Sequence, residues 1–313
     1  MPRRAEVLLT VPPTVTITSP DGQTEAEFVP GANMVGCSLR HRGDELLIGP
    51  RPPRGVQAYA QRGKTMGIPL LHPWANRLAR RGYTAAGKTV TLPEPEGRYA
   101  LDPNGLPIHG ALPGHLCWTV DAGSPPDQLI ARLAWRTPDL LALFPFEHEL
   151  VMQATLGAGE LTLDVTLQAT GADAVPVSFG FHPYLTIPRS ARGDWQVSLG
   201  ASQRLVLDER MIPTGAREPL AHRQFVLGDE SWDDGLDGLD ERARFSVASE
   251  QLTLTMTFEQ GFRFAQVYAP PSHDYICFEP MTAPTGALDS GIGLSVVAPG
   301  DSYRTRFRLS VTP

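Results

Sequence analysis

Apolar and polar residues alternate one by one along much of the chain. Leu161, Leu163, Val165, Leu167 and Ala169 fall on one side and Thr162, Asp164, Thr166 and Gln168 on the other, the period-two signature of a half-buried strand. Leu150, Met152, Ala154 and Leu156 repeat the pattern upstream, and Gly157-Ala158-Gly159 supplies a permissive turn between the two runs, so the pair reads as a hairpin. The alternation returns at Leu252 to Phe258 and at Tyr303 to Val311. Shorter apolar or β-branched runs lie at 15–17, 34–39, 118–120, 130–135, 177–181, 205–207 and 267–276, with glycine or proline between them. No apolar stripe of helical period lasts more than about three turns, so helices are expected only as short connectors. The pattern predicts an all-β protein, a large antiparallel β-sandwich with few short helices.

The 30 glycines and 30 prolines are spread along the sequence and mark no linker. With no repeat or low-complexity tract, residues 1–313 read as one domain. The least regular stretch, 49–98, carries seven prolines. A loop of that length in a compact domain is usually functional or hides short strands.

Composition narrows the function. A hydrophobic content of 42% with 19% charged residues is that of a globular protein. The net charge of −7 argues against a nucleic-acid or anionic-membrane partner, since both require a basic face. Three cysteines, Cys37, Cys117 and Cys277, with no C-x-x-C pair, indicate neither a disulfide framework nor a zinc knuckle and fit a reducing cytoplasm. The apolar run near Met1–Thr10 is too short and too soon broken by proline for a signal peptide, and no run approaches the ~20 apolar residues of a membrane span.

Several polar residues lie beside turn-forming or aromatic ones: Asn76-Arg77 after Pro73-Trp74, His109 between Ile108 and Gly110, His182 before Pro183-Tyr184, and Asp233-Asp234 after Trp232. Each has a plain structural reading, as a packed histidine, a surface ion pair or a self-satisfied turn. Glu279 follows the apolar run Tyr275-Ile276-Cys277-Phe278 and precedes Pro280 and Pro284. Because proline cannot continue a sheet ladder, the strand is expected to end there, with the carboxylate at its rim. The histidine spacing does not match metal-binding motifs, no G-x-S-x-G elbow occurs, and the cysteines sit in apolar runs where a thiol is usually inert.

Taken in order, these stretches resemble the aldose 1-epimerase (galactose mutarotase) family. The resemblance rests on Pro73-Trp74-Ala75-Asn76-Arg77-Leu78, Ile108-His109-Gly110 with Trp118, Gly180-Phe181-His182-Pro183-Tyr184, Trp232-Asp233-Asp234, Gln266-Val267-Tyr268 and Phe278-Glu279-Pro280-Met281-Thr282-Ala283-Pro284. It spans nearly the whole chain, and the last stretch is its most specific part.

The resemblance implies a β-supersandwich that interconverts the α and β anomers of a hexose, with no cofactor or metal and with a monosaccharide as its partner, as a monomer or homodimer. By similarity Glu279 is the base, His182 the acid and His109 a third catalytic residue near the ring oxygen. Arg77, Asn76, Asp233 and Gln266 match hydroxyl-binding positions, and Trp74 is a candidate for packing on the sugar. A carboxylate that accepts and an imidazolium that donates suit such a reaction. Ala111, Phe181 and Leu236 depart from the residues usual in the family and leave the identity of the sugar open. Two alternatives share the fold: a hexose-6-phosphate 1-epimerase using Arg77, Arg80 and Arg81, and a non-catalytic sugar-binding protein. A glycosidase would call for two carboxylates about one bond.

Overall fold

In the computed structural model, which describes residues 13–52 and 54–313, the chain folds as stacked antiparallel sheets. The N-terminal segment Met1–Thr10 lies outside the described residues. The expected hairpin forms from His148–Gly157 and Glu160–Ala169, in a continuous register from His148↔Ala169 to Gly157↔Glu160. Along both strands, buried positions alternate strictly with half-buried ones. The hairpin is part of a nine-stranded sheet in the order Thr119–Val120, Gln128–Trp135, His148–Gly157, Glu160–Ala169, Ser302–Thr312, Thr253–Gln260, Arg244–Ala248, Gln196–Ser198 and Gln224–Val226.

An eight-stranded sheet lies against it. Its order is Pro213–Pro219, Ala201–Leu207, Trp232–Leu239, Phe264–Ala269, Ile276–Met281, Gly180–Phe181 and Leu70–Leu71, and Tyr184–Leu185 also pairs with Ile276–Met281. Aromatic contacts bridge the two sheets: Phe278 to Phe245, with ring centroids 5.8 Å apart, and Phe181 to Phe307, 5.1 Å apart. The main apolar cluster runs from Ile17 to Leu309. A four-stranded sheet, Val15–Thr18 to Asp44–Glu45, adds strands at the N-terminal side.

Three local expectations are corrected. The strand carrying Glu279 does not end there. It runs Ile276–Met281, buried throughout, with Pro280 paired to Ala265. Proline removes one N–H, and that loss is tolerated because the neighbouring strand on the other side is itself interrupted at His182-Pro183, between Gly180–Phe181 and Tyr184–Leu185. Asp233-Asp234-Gly235 is likewise no turn but lies within the strand Trp232–Leu239. The apolar run 267–276 divides into two strands around Pro270-Pro271, since two successive residues without an N–H cannot hold a ladder.

The irregular stretch 49–98 contains the helix Arg54–Arg62, which buries Val56 and Tyr59, and the short strands Leu70–Leu71, Gly82–Ala85 and Lys88–Thr91. It joins the edge of the eight-stranded sheet through the pairing Leu71↔Gly180 and through Tyr184 N donating to Gly67 O at 2.8 Å. Every position of the strand Ile276–Met281 is buried, so neither face meets solvent. For that reason its sequence shows a continuous apolar run instead of alternation.

Candidate active site

The pairings Gly180↔Met281 and Tyr184↔Cys277 share one register, which sets His182 opposite Glu279 in the interrupted part of the ladder. Adjacent strands lie about 4.8 Å apart, and the two side chains meet directly: His182 Nε2 is 3.2 Å from Glu279 Oε1. Both are nearly sequestered, at 6% and 1% exposure. Burial raises the Glu279 carboxyl well above the usual carboxylate range, and the negative Asp233 adds to it while Arg77 opposes it. Burial, helped by His109, pulls His182 well below the ordinary imidazole value. With the carboxyl harder to ionise and the imidazole harder to protonate, a contact this short allows a proton to pass between the two. The pair can shuttle that proton without gaining or losing net charge.

The remaining site residues are built around this pair. Gln266 and Gly235 follow Glu279 across the sheet in direct register, Gln266↔Glu279 and Gly235↔Gln266, so all three project from one face. Gln266 Nε2 donates to Asp233 Oδ1 at 2.7 Å. Arg77 enters from the connecting segment over this face. Its Nε donates to Asp102 Oδ2 at 2.8 Å, its Nη1 donates to Asn76 Oδ1 at 2.9 Å, and its Nη2 lies 3.9 Å from Asp233 Oδ2.

That segment is zipped into place by backbone bonds. Ala75 N donates to Ser178 O at 2.6 Å, His109 N to Asn76 O at 2.9 Å and Leu78 N to Pro107 O at 2.9 Å. Asn76 and His109 both adopt left-handed backbone, with φ of 55° and 63°, a conformation that asparagine and histidine tolerate better than most residues. Gly110 must be glycine, because a Cβ there would lie 2.1 Å from His72 O. This close approach seats His109 beside His182, with ring centroids 5.7 Å apart and planes 82° apart. Burial and Arg77 lower His109 to about 3, so it is neutral near pH 7. Its Nδ1 and that of His182 have no hydrogen-bond partner among the described residues.

All seven residues singled out from the sequence, Glu279, His182, His109, Arg77, Asn76, Asp233 and Gln266, thus occupy one neighbourhood. Trp74 does not face a ligand. It is fully buried, with its ring near Tyr83 and Tyr99. His115 lies apart, exposed and bonded to Gly97 O. Among the described residues no three potential metal ligands cluster.

Sequence reasoning missed two supporting residues. Tyr184 stacks face to face on His182, centroids 4.5 Å apart and 6° from parallel, and its hydroxyl is 2.6 Å from Thr65 Oγ1. Asp102, nearly buried, accepts from the backbone N–H groups of Asn104 and Leu106 as well as from Arg77. The Asp-Pro-Asn-Gly context of Asp102 advertises only a turn, although an aspartate fixed by two backbone donors is also a rigid place to tether an arginine.

A family model described as aldose 1-epimerase matches residues 13–310. Human galactose mutarotase is 27% identical over 296 residues, covering 82% of each chain. The Escherichia coli K12 protein YihR is 24% identical over 300 residues, covering 87% of this chain and 86% of its own. Among solved structures, a galactose mutarotase-like protein from Clostridium acetobutylicum superposes with a TM-score of 0.82 at 17% identity, covering 96% of this chain and 95% of the other. An aldose epimerase homologue from Caenorhabditis elegans gives 0.75 at 15% identity, with 96% and 98% covered. These structural matches establish the galactose mutarotase-like fold.

Proposed function

The chain belongs to the aldose 1-epimerase family, and on that premise we propose that it interconverts the α and β anomers of a free aldose. The observation that carries the reading is the buried His182–Glu279 contact, flanked on the same face by Gln266, Asp233 and Arg77. The Glu279 carboxylate takes the proton of the anomeric hydroxyl while His182 Nε2–H delivers one to the ring oxygen. The C1–ring oxygen bond breaks and the anomeric oxygen becomes a carbonyl. After rotation about C1–C2, protonated Glu279 returns its proton to the carbonyl oxygen as the ring oxygen attacks the other face, and its proton passes back to His182. The pair holds one proton before, between and after the two half-reactions, which suits a buried site that tolerates no net change of charge.

Neutral His109 is placed to hydrogen-bond near the ring oxygen, and Arg77, Asn76, Asp233 and Gln266 serve the remaining hydroxyls. A phosphorylated substrate is the weaker reading because the arginines near the cleft already have carboxylate partners: Arg77 with Asp102, Arg80 with Asp289 and Arg81 with Glu94. Polarimetry of α-glucose and α-galactose tests the proposal. Glu279→Gln and His182→Asn should each abolish enzyme-dependent mutarotation with the circular-dichroism spectrum unchanged, and retained activity in either would overturn the assigned roles. A higher kcat/KM on glucose 6-phosphate than on glucose would favour the phosphorylated substrate. Sugar binding without rate enhancement would make the protein a binding protein.

A further inference from the structure

Two buried histidines, His72 and His148, take no part in the reaction proposed above. The His72 ring sits in an aromatic box, with centroids 5.0 Å from Trp135, 6.4 Å from Phe144 and 6.0 Å from Phe179. Among the described residues its side chain has one hydrogen-bond partner, His148, at 2.8 Å from Nε2 to Nε2. His148 opens the strand His148–Gly157 and stacks on Trp135, and its Nδ1 lies 2.7 Å from Phe146 O.

The direction of this bond follows from its ends. A carbonyl only accepts, so His148 Nδ1 carries the hydrogen and, in a neutral ring, Nε2 is left as the acceptor. Burial lowers both imidazoles and keeps them neutral near pH 7. His72 Nε2–H is therefore the donor, and His72 Nδ1 is a bare lone pair, in accord with its lack of a partner among the described residues. A phenylalanine would fill the same box without burying an unpaired acceptor. What the imidazole adds is a directed bond to the nine-stranded sheet.

The backbone of His72 carries that anchorage into the site. His72 O accepts from Ala111 N at 3.0 Å and lies against Gly110, the neighbour of His109. Asn76 and Arg77 follow in the same segment, and Asn76 O accepts from His109 N. Among the described residues, no other side chain of 70–78 hydrogen-bonds to the nine-stranded sheet. Resting on the anomerase reading, we propose that His72 and His148 are positioning residues: their bond fixes the segment 72–78 on the nine-stranded sheet and so sets His109 and Arg77 relative to the His182–Glu279 pair.

Three variants test this, with polarimetric kcat and KM taken per folded molecule. His148→Asn can still donate to Phe146 O but is too short to reach His72, whereas His148→Gln still offers an oxygen where Nε2 stood. His72→Phe fills the aromatic box, removes the donor and removes the unpaired Nδ1, so its urea midpoint should stay near that of wild type. His148→Asn and His72→Phe should each lower kcat/KM about tenfold, with KM raised and kcat reduced, and His148→Gln should stay within about threefold of wild type. The limbs of the pH–rate profile should not move, because His182 and Glu279 are untouched. Wild-type kcat and KM in His72→Phe, or equal losses in His148→Asn and His148→Gln, would overturn the positioning role. Failure of both His148→Asn and His72→Phe to fold would overturn it too, by making the pair a folding element. Calorimetry with galactose reads the same displacement without turnover. Wild-type protein that binds galactose without accelerating its mutarotation, beside a His72→Phe variant that binds it several-fold more weakly, would overturn the anomerase reading and uphold the positioning role.

Discussion

Asp102 has no contact with His182 or Glu279, yet in the proposed reaction it bears on substrate recognition through Arg77. One carboxylate oxygen receives Arg77 Nε at 2.8 Å, and the other receives the backbone N–H groups of Asn104 and Leu106 at 2.9 and 2.8 Å. Asp102→Asn retains an oxygen for the two backbone donors but turns an NH2 group toward the guanidinium, so one charge-assisted hydrogen bond becomes a donor facing a donor. Such a bond contributes about 1.5–3 kcal/mol. Arg77 keeps its bond to Asn76 and its looser approach to Asp233, which places the expected loss toward the lower end of that range. kcat/KM for the sugar should therefore fall about ten- to thirtyfold, mostly through KM, because in the proposed reaction Arg77 meets the bound sugar and takes no part in proton transfer. The shape of the pH–rate profile should stay as in wild type, because His182 and Glu279 are untouched. Polarimetric initial rates across substrate concentration and pH give both readouts, with urea unfolding as the check on folding. A variant with lowered stability but kcat/KM within twofold of wild type would show that Asp102 only staples its own turn and would refute the reasoning.

Three further outcomes are expected. Tyr184→Phe keeps the ring stacked on His182 and loses the hydroxyl's bond to Thr65 and its 3.5 Å contact with His182 Nε2, so kcat should fall a few-fold, whereas Tyr184→Leu removes the stack as well and should cost tenfold or more and displace the acid limb of the pH profile; equal effects of the two variants would deny the stack a positioning role. kcat/KM should trace a bell, falling at low pH when His182 and Glu279 both carry protons and at high pH when neither does. With His182 depressed and Glu279 raised, the acid limb should lie below 6.5 and the alkaline limb well above the carboxylate range, and a profile limited by an unshifted histidine would contradict this. Away from the site, His148 is lowered to about 4 by burial, and its Nε2 lies 2.8 Å from that of the buried His72. The unfolded chain binds the proton that folded His148 refuses, so stability is fully present above about pH 6.5 and falls as pH drops toward 4, by roughly 3 kcal/mol for this residue. Urea midpoints between pH 7 and 4.5 measure it, and His148→Gln should flatten the dependence.

Legibility in the sequence followed burial. The 148–169 hairpin was plain because one face is buried and the other is not. Pro213–Pro219, exposed or half-exposed at every position, has no alternation to read and joins the sheet through its pairing with Ala201–Leu207. Ile276–Met281 failed for the opposite reason, being buried on both faces, and the proline rule then misplaced its end. The candidate site residues stand in the sequence as an ordered set, but their mutual geometry does not. His182 and Glu279, 97 positions apart in the chain, touch directly, and only the register of the interrupted ladder brings that about. Trp74 looked like a sugar platform because aromatic residues beside polar ones often serve that role, but its ring is in the core. Asp102 and Tyr184 carried no signal of their own, since a turn aspartate and an aromatic residue in an apolar run are ordinary.

The central claim concerns which atoms of a sugar meet the one-proton pair. A crystal structure with a soaked monosaccharide tests it most directly. The account predicts the ring oxygen within about 2.6–3.2 Å of His182 Nε2 and the anomeric hydroxyl at the same distance from Glu279. A sugar bound with its anomeric carbon over Gly235, or with neither oxygen in reach of the pair, would contradict it.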